Sequence, residues 1–385
     1  MYGKAVIISR FVPWPSDTGA LIYSAMVANL VAEFADETVM VAASNPFGNA
    51  PIPEGVKARV GPARKTSAIG YLTSGLPFAS QPFRTPALRQ RAREELTGAD
   101  LVVLDHIGAC WALDLALAAG TGGARLVYSA QNVESDTRRT MVDAGGLRAA
   151  FARFDAHRLE VAERRLLRDA DVVLCVSSND RDRFREMGAN ADLAVVNPVH
   201  TSPAHFVGIN RDTPRRVVLI GSFHWRAKQQ NLVSFLKART AVSSGASIAV
   251  RVVGSMPEPF RLKIIESFPD IDITGPVHRI EDHLDGCRIG VIPEEEGGGF
   301  KLKALDYAYA GLPIFGLENA MRGLPLREGA SMRAFTTMEG LWEGIIAHIG
   351  DLPMLEALRS RALETFEAGA NMQNLRATFA QVLKA

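Results

Sequence analysis

The stretch Glu294–Gly316, EEEGGGFKLKALDYAYAGLPIFG, places three acids, three glycines and two lysines ahead of an apolar run. Successive glycines cost backbone entropy, so they mark either a sharp turn or a close backbone approach. Gly297, Gly298 and Gly299 would let amide N–H groups come up to a phosphate, and a helix starting near Phe300 would aim its positive end at the same anion. Lys301 and Lys303 would add point charges. Two residues apart on a helix they do not share a face, so Lys303 is the one expected to meet the ligand. Asp306, one turn further on, falls on the same side and suits ribose hydroxyls. A flexible glycine turn before a solvated helix is the alternative this stretch leaves open. His106 ends an apolar run, where a ligand-facing residue belongs, unless the backbone satisfies its ring. Glu160 and Glu163, three apart in an arginine-rich segment, read as surface ion pairs rather than paired catalytic carboxylates.

The elements that would carry these residues alternate along the chain. Continuous apolar runs at Lys4–Ser9, Thr38–Ala43, Leu101–Asp105, Arg125–Ala130 and Val172–Ser177 suit strands buried on both faces of a parallel sheet. Amphipathic segments such as Gly19–Phe34 and Leu147–Arg168 lie between them as helices. The alternation lapses over Thr201–Arg215, rich in Pro, Asn, Asp and Ser. It resumes with Arg215–Ser222, Ser247–Gly254, Ile271–Thr274, Arg288–Pro293 and Leu312–Gly316, and Leu352–Ala385 looks helical throughout. The fold class is therefore α/β, with two doubly wound parallel-sheet halves facing a central cleft. The expected divisions are 1–200, a connection at 201–215, and 216–369, with a helix at about 370–385 packing back on the first half. Ligands of such sheets bind beyond the carboxyl ends of the strands, which is where the glycine-rich stretch falls.

A chain of 385 residues, 47% hydrophobic and 22% charged, is globular and long enough for two cores. Its formal net charge of +1 excludes a global field for nucleic acid, so any basic site is local. Cys110, Cys175 and Cys287 are scattered and read as buried small hydrophobes of a reducing compartment. The opening MYGKAVIISRFVPWP reads as a first strand and lacks the apolar core of a signal peptide. No run approaches the ~20 apolar residues that span a bilayer. These features predict a cytoplasmic protein. Ala68–Phe83, apolar and without regular period, is open to three readings: an acceptor-side loop, a peripheral contact with the inner face of a membrane, or irregular core.

The run GGGFKLKALDYAYAGLPIFG resembles the signature of the retaining GT-B glycosyltransferases often called family 4. It is closest to a bacterial subset with a Gly-x-Gly-x-Lys-x-Lys-x-Leu-Glu pattern, which sets Gly297, Gly299, Lys301, Lys303, Leu305 and Asp306 in register. Other segments match in order. FVPWPSDTGALIYSAMVANLV resembles the family's first loop and helix, and LVVLDHIGACWAL its Asp-x-x-x-x-His strand end. SAQNVESDTRR stands at His-Asn-x-Glu, LCVSSNDRDRF at Val-Ser-x-x-Asp, and VVNPV at the exit to the linker. LIGSFHWRAKQQNL resembles the first loop of the donor domain.

What the resemblance implies is a two-domain GT-B enzyme of hexosyl-transferring type. Its C-terminal domain would hold a UDP- or GDP-sugar, and its acceptor would be a glycan, glycolipid or small hydroxyl compound. No cofactor is implied, since the nucleotide-sugar is a substrate. By position, Gly298, Gly299 and Phe300 would present amides to the diphosphate, and Lys303 would approach the phosphates. Arg226 and Lys228 fall on the cation pair that neutralises the leaving diphosphate, charge that makes a metal unnecessary. Val277 and His278 fall on the loop whose backbone reads the base. Gly19, beside Asp17 and Thr18, would face the donor, and His106 would touch its sugar. Asp17 would otherwise cap the helix that follows it. One departure is clear: the family's first Glu falls on Gly298, so Glu294, Glu295, Glu296 or loop amides would hold the sugar. Retention is the family's default, whereas inversion would need a general base such as Asp17 or His106. The missing acid also motivates a second reading, a non-catalytic nucleotide-sugar-binding protein or partner subunit. A dehydrogenase is disfavoured, because Ser9–Gly19 holds no G-x-G-x-x-G.

Overall fold

A computed structural model describes residues 1–48, 50–120, 123–140, 146–206, 208–242, 248–295 and 299–384. They form two compact units, Met1–Pro198 with Leu375–Ala385, and Val199–Asn374.

The first unit runs β1 (Tyr2–Phe11), α1 (Gly19–Glu33), β2 (Ala35–Ala43), β3 (Val56–Gly61), α2 (Ala68–Ser74), α3 (Pro86–Leu96), β4 (Leu101–Asp105) and α4 (Leu113–Gly120). It continues with β5 (Arg125–Ala130), α5 (Glu134–Thr140), α6 (Gly146–Asp169), β6 (Val172–Cys175), α7 (Ser178–Glu186) and β7 (Asp192–Val195). The strands pair in parallel in the order β3-β2-β1-β4-β5-β6-β7. Every residue of β4 is buried, because helices cover both faces of the sheet. Val6, Ile8, Leu104, Tyr128, Val173 and Phe184 form part of the core on one face.

The second unit runs β8 (Arg216–Ile220), α8 (Arg226–Val242), β9 (Ala249–Val253), α9 (Glu258–Ser267), β10 (Asp272–Gly275), β11 (Ile289–Ile292) and α10 (Lys303–Tyr309). It ends with β12 (Ile314–Leu317), α11 (Glu318–Met321), β13 (Arg333–Phe335), α12 (Met338–His348) and α13 (Leu352–Gly369). Its parallel sheet is ordered β10-β9-β8-β11-β12-β13. Trp342 and Phe235 stack in its core with ring centroids 4.7 Å apart. A last helix, α14 (Met372–Lys384), crosses the division between the units. From Leu375 onward it lies on the first unit: Arg376 forms two hydrogen bonds with Glu33, at 2.7 and 2.9 Å, and buried Phe379 stacks on Phe34.

The structure departs from the sequence pattern in physical detail. β3 and β13 are edge strands with few buried residues and show no continuous apolar run, and β7 is an edge strand of four residues. The Leu352–Ala385 region is two helices, broken at Ala370–Asn371. The connecting segment is also anchored, because the buried Arg288 guanidinium donates to the carbonyls of Asn210, Arg211, Thr213 and Ile349. In each sheet, the strand order reverses next to the first strand, between β1 and β4 and between β8 and β11. In doubly wound sheets this reversal is where a crevice opens at the carboxyl ends.

At that end of the second sheet the backbones touch. A Cβ on Gly254 (φ +127°) would meet the Gly221 carbonyl oxygen at 1.9 Å. Gly254→Ala is expected to lower the unfolding free energy of the second unit by about 2–4 kcal/mol, from overpacking and backbone strain together. Urea titration followed by Trp342 fluorescence measures this.

Candidate functional site

At the β8/β11 reversal, the loop after β8 leads to α8 and the loop after β11 leads to α10. Between them lies a small cavity lined by Gly221, Lys228, Asn231, Glu294 and Lys303 among others. The Lys303 ammonium donates to Glu294 Oε1, and both side chains are largely buried. Glu294 Oε2 is buried with no hydrogen-bond partner among the described residues. Burial pushes the Glu294 carboxyl up, but Lys303, Lys301 and Lys228 outweigh it and hold the group below the ordinary range. Lys228 is pushed down, first by burial and then by the charges of Lys303 and Lys301, with Glu294 opposing. Lys228 and Lys303 thus share this cavity with the carboxylate of Glu294, a balance of charge that suits an anion.

Of the glycine-rich loop, Gly299 is the one glycine within the described residues, and it does not line this cavity. Gly299 is buried in the left-handed region (φ +71°), and a Cβ on Gly323 would come within 2.3 Å of its carbonyl oxygen. Glycine is thus required at 299 by conformation and at 323 by contact. The Phe300 ring lies 6.1 Å from that of Phe366. One turn into α10, Asp306 Oδ1 is 3.8 Å from Nε2 of His200, whose ring stacks on Tyr309 at 4.3 Å. A third of the Asp306 side chain stays accessible, yet its surroundings push the carboxyl up to about 6: burial is the larger cause, Glu281 adds to it, and His200 and Lys303 oppose it.

At the β1/β4 reversal in the first unit, the charged groups are held in a hydrogen-bonded network instead. Asp105 closes β4 and is buried, and its Oδ2 accepts from Ser9 (2.7 Å) and Ser24 (2.6 Å), while Gln131 donates to Ser24 (2.9 Å). This network ties β1, α1, β4 and the loop after β5 together. His106 follows at φ +68°, ψ 154°, a region otherwise reserved for glycine, and is the one non-glycine residue of positive φ among the described residues. Its Nδ1 accepts from the Gly108 amide at 2.8 Å, and its Nε2 faces Glu134 Oε1 at 3.3 Å. The ring is therefore the neutral Nε2–H tautomer, donating to Glu134. Burial, with the Arg10 charge behind it, pushes the His106 pKa down. Burial pushes Glu134 up, but the bonds from His106 and Asn132 and the Arg10 charge prevail and leave it at about 2.

Residues 18–200 match the family model described as Glycosyl transferase 4-like domain, and residues 214–330 match Glycosyl transferases group 1. The chain belongs to this family of glycosyltransferases. Two α/β units with parallel sheets also match solved GT-B structures. HepE of Anabaena, in a complex with UDP and glucose, is covered 100%, as is this chain, at TM-score 0.70 and 13% identity. Sucrose-phosphate synthase of Thermosynechococcus elongatus matches 99% of this chain and 98% of its own at TM-score 0.72 and 14% identity. WaaG, a glycosyltransferase involved in lipopolysaccharide biosynthesis, matches 98% and 99% at TM-score 0.70 and 12% identity. No curated protein matches in sequence.

In this glycosyltransferase, Lys228 and Lys303 meet in one cavity. Arg226, the first residue of α8, is exposed and does not line it. The α10 helix starts at Lys303 rather than near Phe300, so Lys301 lies in the loop. Gly298 lies outside the described residues. Val277 is half-buried and exposed His278 follows it, both after edge strand β10. Asp17 is exposed and is not the cap of α1, because Thr18 accepts from the Leu21 amide instead; Gly19 opens that helix. Glu160 does pair on the surface, with Arg164 and Arg139. Glu163 does not: it is fully buried, caps the amides of Glu134 and Ser135, and burial pushes its carboxyl up to about 7. Sequence reasoning passed over Glu134 and Arg10 as site residues, although Glu134 stands at the Glu of the quoted His-Asn-x-Glu match.

Two measurements follow from this geometry. His106→Gly is expected to unfold at higher urea than His106→Ala, by about 1–2 kcal/mol, since both lose the ring and only Ala keeps the backbone strain. Glu134, with its folded pKa of about 2 below the ordinary 4.5, stabilises fully above pH 4.5 and loses that contribution as the pH falls toward 2. The stability gap between wild type and Glu134→Gln should therefore be widest at neutral pH and narrow below pH 4.5, read from urea midpoints.

Proposed function

We propose that this glycosyltransferase moves a hexosyl group from a nucleotide-diphosphate-sugar to a hydroxyl acceptor of glycan or glycoconjugate biosynthesis. The observation that carries this is the meeting of Lys228 and Lys303 in one cavity with the carboxylate of Glu294 at the β8/β11 reversal. A glycosidic bond to a diphosphate breaks as negative charge grows on the leaving phosphate. Preorganised ammonium groups stabilise that charge most where water is scarce. Lys303 spends one of its three N–H donors on Glu294 and keeps two for phosphate oxygens. Lys228 adds a second cation, and Arg226, at the N-terminus of α8, is a further one, so the reaction runs without a metal or other cofactor. A uridine donor is favoured by the UDP found with HepE.

Glu294 takes over the part of the carboxylate that the family carries at 298. Its unpartnered Oε2 is an acceptor for sugar hydroxyls, held in place by the bond from Lys303 to Oε1. Asp306 accepts from the ribose, and its ionised form prevails above pH 6. Retention is the family's default, and of the two candidate bases for inversion His106 has both ring nitrogens engaged, which leaves Asp17 as the base that inversion would need. Among the described residues, no helix is long and apolar enough to cross a membrane. Ile69 (77% exposed), Leu72 (62%) and Phe78 (42%) stand out from the segment around α2 and support a peripheral contact with the inner face of a membrane, from a cytoplasmic position.

With donor and acceptor saturating, Lys303→Ala, Lys228→Ala and Arg226→Ala are each expected to lower turnover by more than ~10-fold. Glu294→Gln should weaken discrimination between donors differing at a sugar hydroxyl while leaving UDP binding within a few-fold. NMR of the anomeric proton follows transfer, and a thermal-shift screen of UDP, GDP, ADP and their sugars identifies the donor. Unchanged turnover in all three cation variants would overturn the phosphate-site reading.

A further inference from the structure

The carboxyl end of β3 and the first two turns of α3 enclose an open groove of about 650 Å³ in the first unit, lined by Arg64, Arg84, Arg89 and Arg93 with Pro86 and Gln90. The last four of these by number, Pro86, Arg89, Gln90 and Arg93, fall at helical spacing on one face of α3. Arg64 and Arg84 are brought across from it, because the Arg64 amide donates to the Pro82 carbonyl at 3.0 Å. Among the described residues, none of these four guanidinium groups has an ion-pair or hydrogen-bond partner, although Arg84 and Arg89 are half-buried. Nearby cations behave differently. Arg59 and Lys4 both bind Glu95, and Lys57 binds Glu37.

Four like charges gathered without a counter-ion repel one another, and a chain of formal net charge +1 has no general excess of positive charge to account for them. An anion in the groove relieves that repulsion. Guanidinium forks fit phosphate oxygens two at a time, and they outnumber the charges of a single phosphate. The groove's place in the fold is also informative. β3 is parallel to β1 and β4 through β2, so its carboxyl end lies on the same rim of the sheet as the loop holding Asp17 and the residue His106. That rim is where such sheets receive ligands.

We propose that this groove is a second phosphate site, distinct from the lysine cavity of the other unit, and that it holds the acceptor by a diphosphate or a pair of phosphate groups. The word acceptor rests on the function proposed above; the phosphate site does not. The phosphates belong to a soluble acceptor or to the headgroups of an anionic lipid, and the test separates these.

Inorganic pyrophosphate is titrated calorimetrically into the full chain, as wild type, as Arg84→Gln/Arg89→Gln, and as Lys228→Ala/Lys303→Ala. The expected result is a binding component that the lysine variant keeps and the arginine variant weakens by about tenfold or more. The exposed pair Arg64→Gln/Arg93→Gln gives the same readout should the half-buried pair impair folding. In parallel, sedimentation with phosphatidylcholine vesicles, with and without phosphatidylglycerol, compares wild type and arginine variants. Loss of pyrophosphate binding with unchanged sedimentation supports a soluble phosphate-bearing acceptor. Loss of both supports lipid headgroups. Pyrophosphate binding that is equal in wild type and both arginine variants, or absent from the lysine variant, overturns the site. Loss of turnover in the lysine variant bears only on the donor reading, so the two fail separately.

Discussion

When a parallel sheet reverses its strand order, the loops leaving its two central strands turn to opposite faces, and no crossover helix fills the gap between them. Both units of this chain contain that gap, at β1/β4 and β8/β11, and both fill it with charge. In the first, Arg10 and Glu134 flank the neutral His106, and the buried Asp105 is bonded to two serines through its Oδ2. The second sets Lys228 and Lys303 beside Glu294. On the same topology, one gap is lined by a hydrogen-bonded polar network and the other by lysines beside a single carboxylate.

The centre of each fold was legible in the sequence because burial on both faces demands unbroken apolar runs. Leu101–Asp105 and Arg125–Ala130 have the bounds that their composition predicts. Edge strands escape that demand, and β13, three half-buried residues long, leaves no pattern to read. The same split holds for the candidate site. Lys303 was readable from its place after a buried strand and a glycine run. The His106–Glu134 bond was not, since it joins residues from two strands' ends and depends on a backbone angle that no residue type announces. Glu163 misled for a related reason: its arginine-rich neighbours suggested solvent, but its own helix face points inward.

Arginine has opposite uses in the two units. Arg288 is buried and saturated by backbone carbonyls, so its charge is spent on pinning the segment that leads into β8. The four arginines beside α3 bind nothing of their own among the described residues. Unspent charge at the rim of a ligand-binding sheet is a functional signal, whereas spent charge is a structural one.

The return of α14 to the first unit orders events during synthesis. Leu375, Arg376 and Phe379 complete the surface formed by Glu33 and Phe34, yet the ribosome delivers them only after the whole of Val199–Asn374. At ~5–20 residues per second that interval lasts on the order of ten to forty seconds. Throughout it, the Phe34 ring waits without its partner on a nascent domain that is otherwise finished. The first unit therefore cannot complete that face until the second has been synthesised.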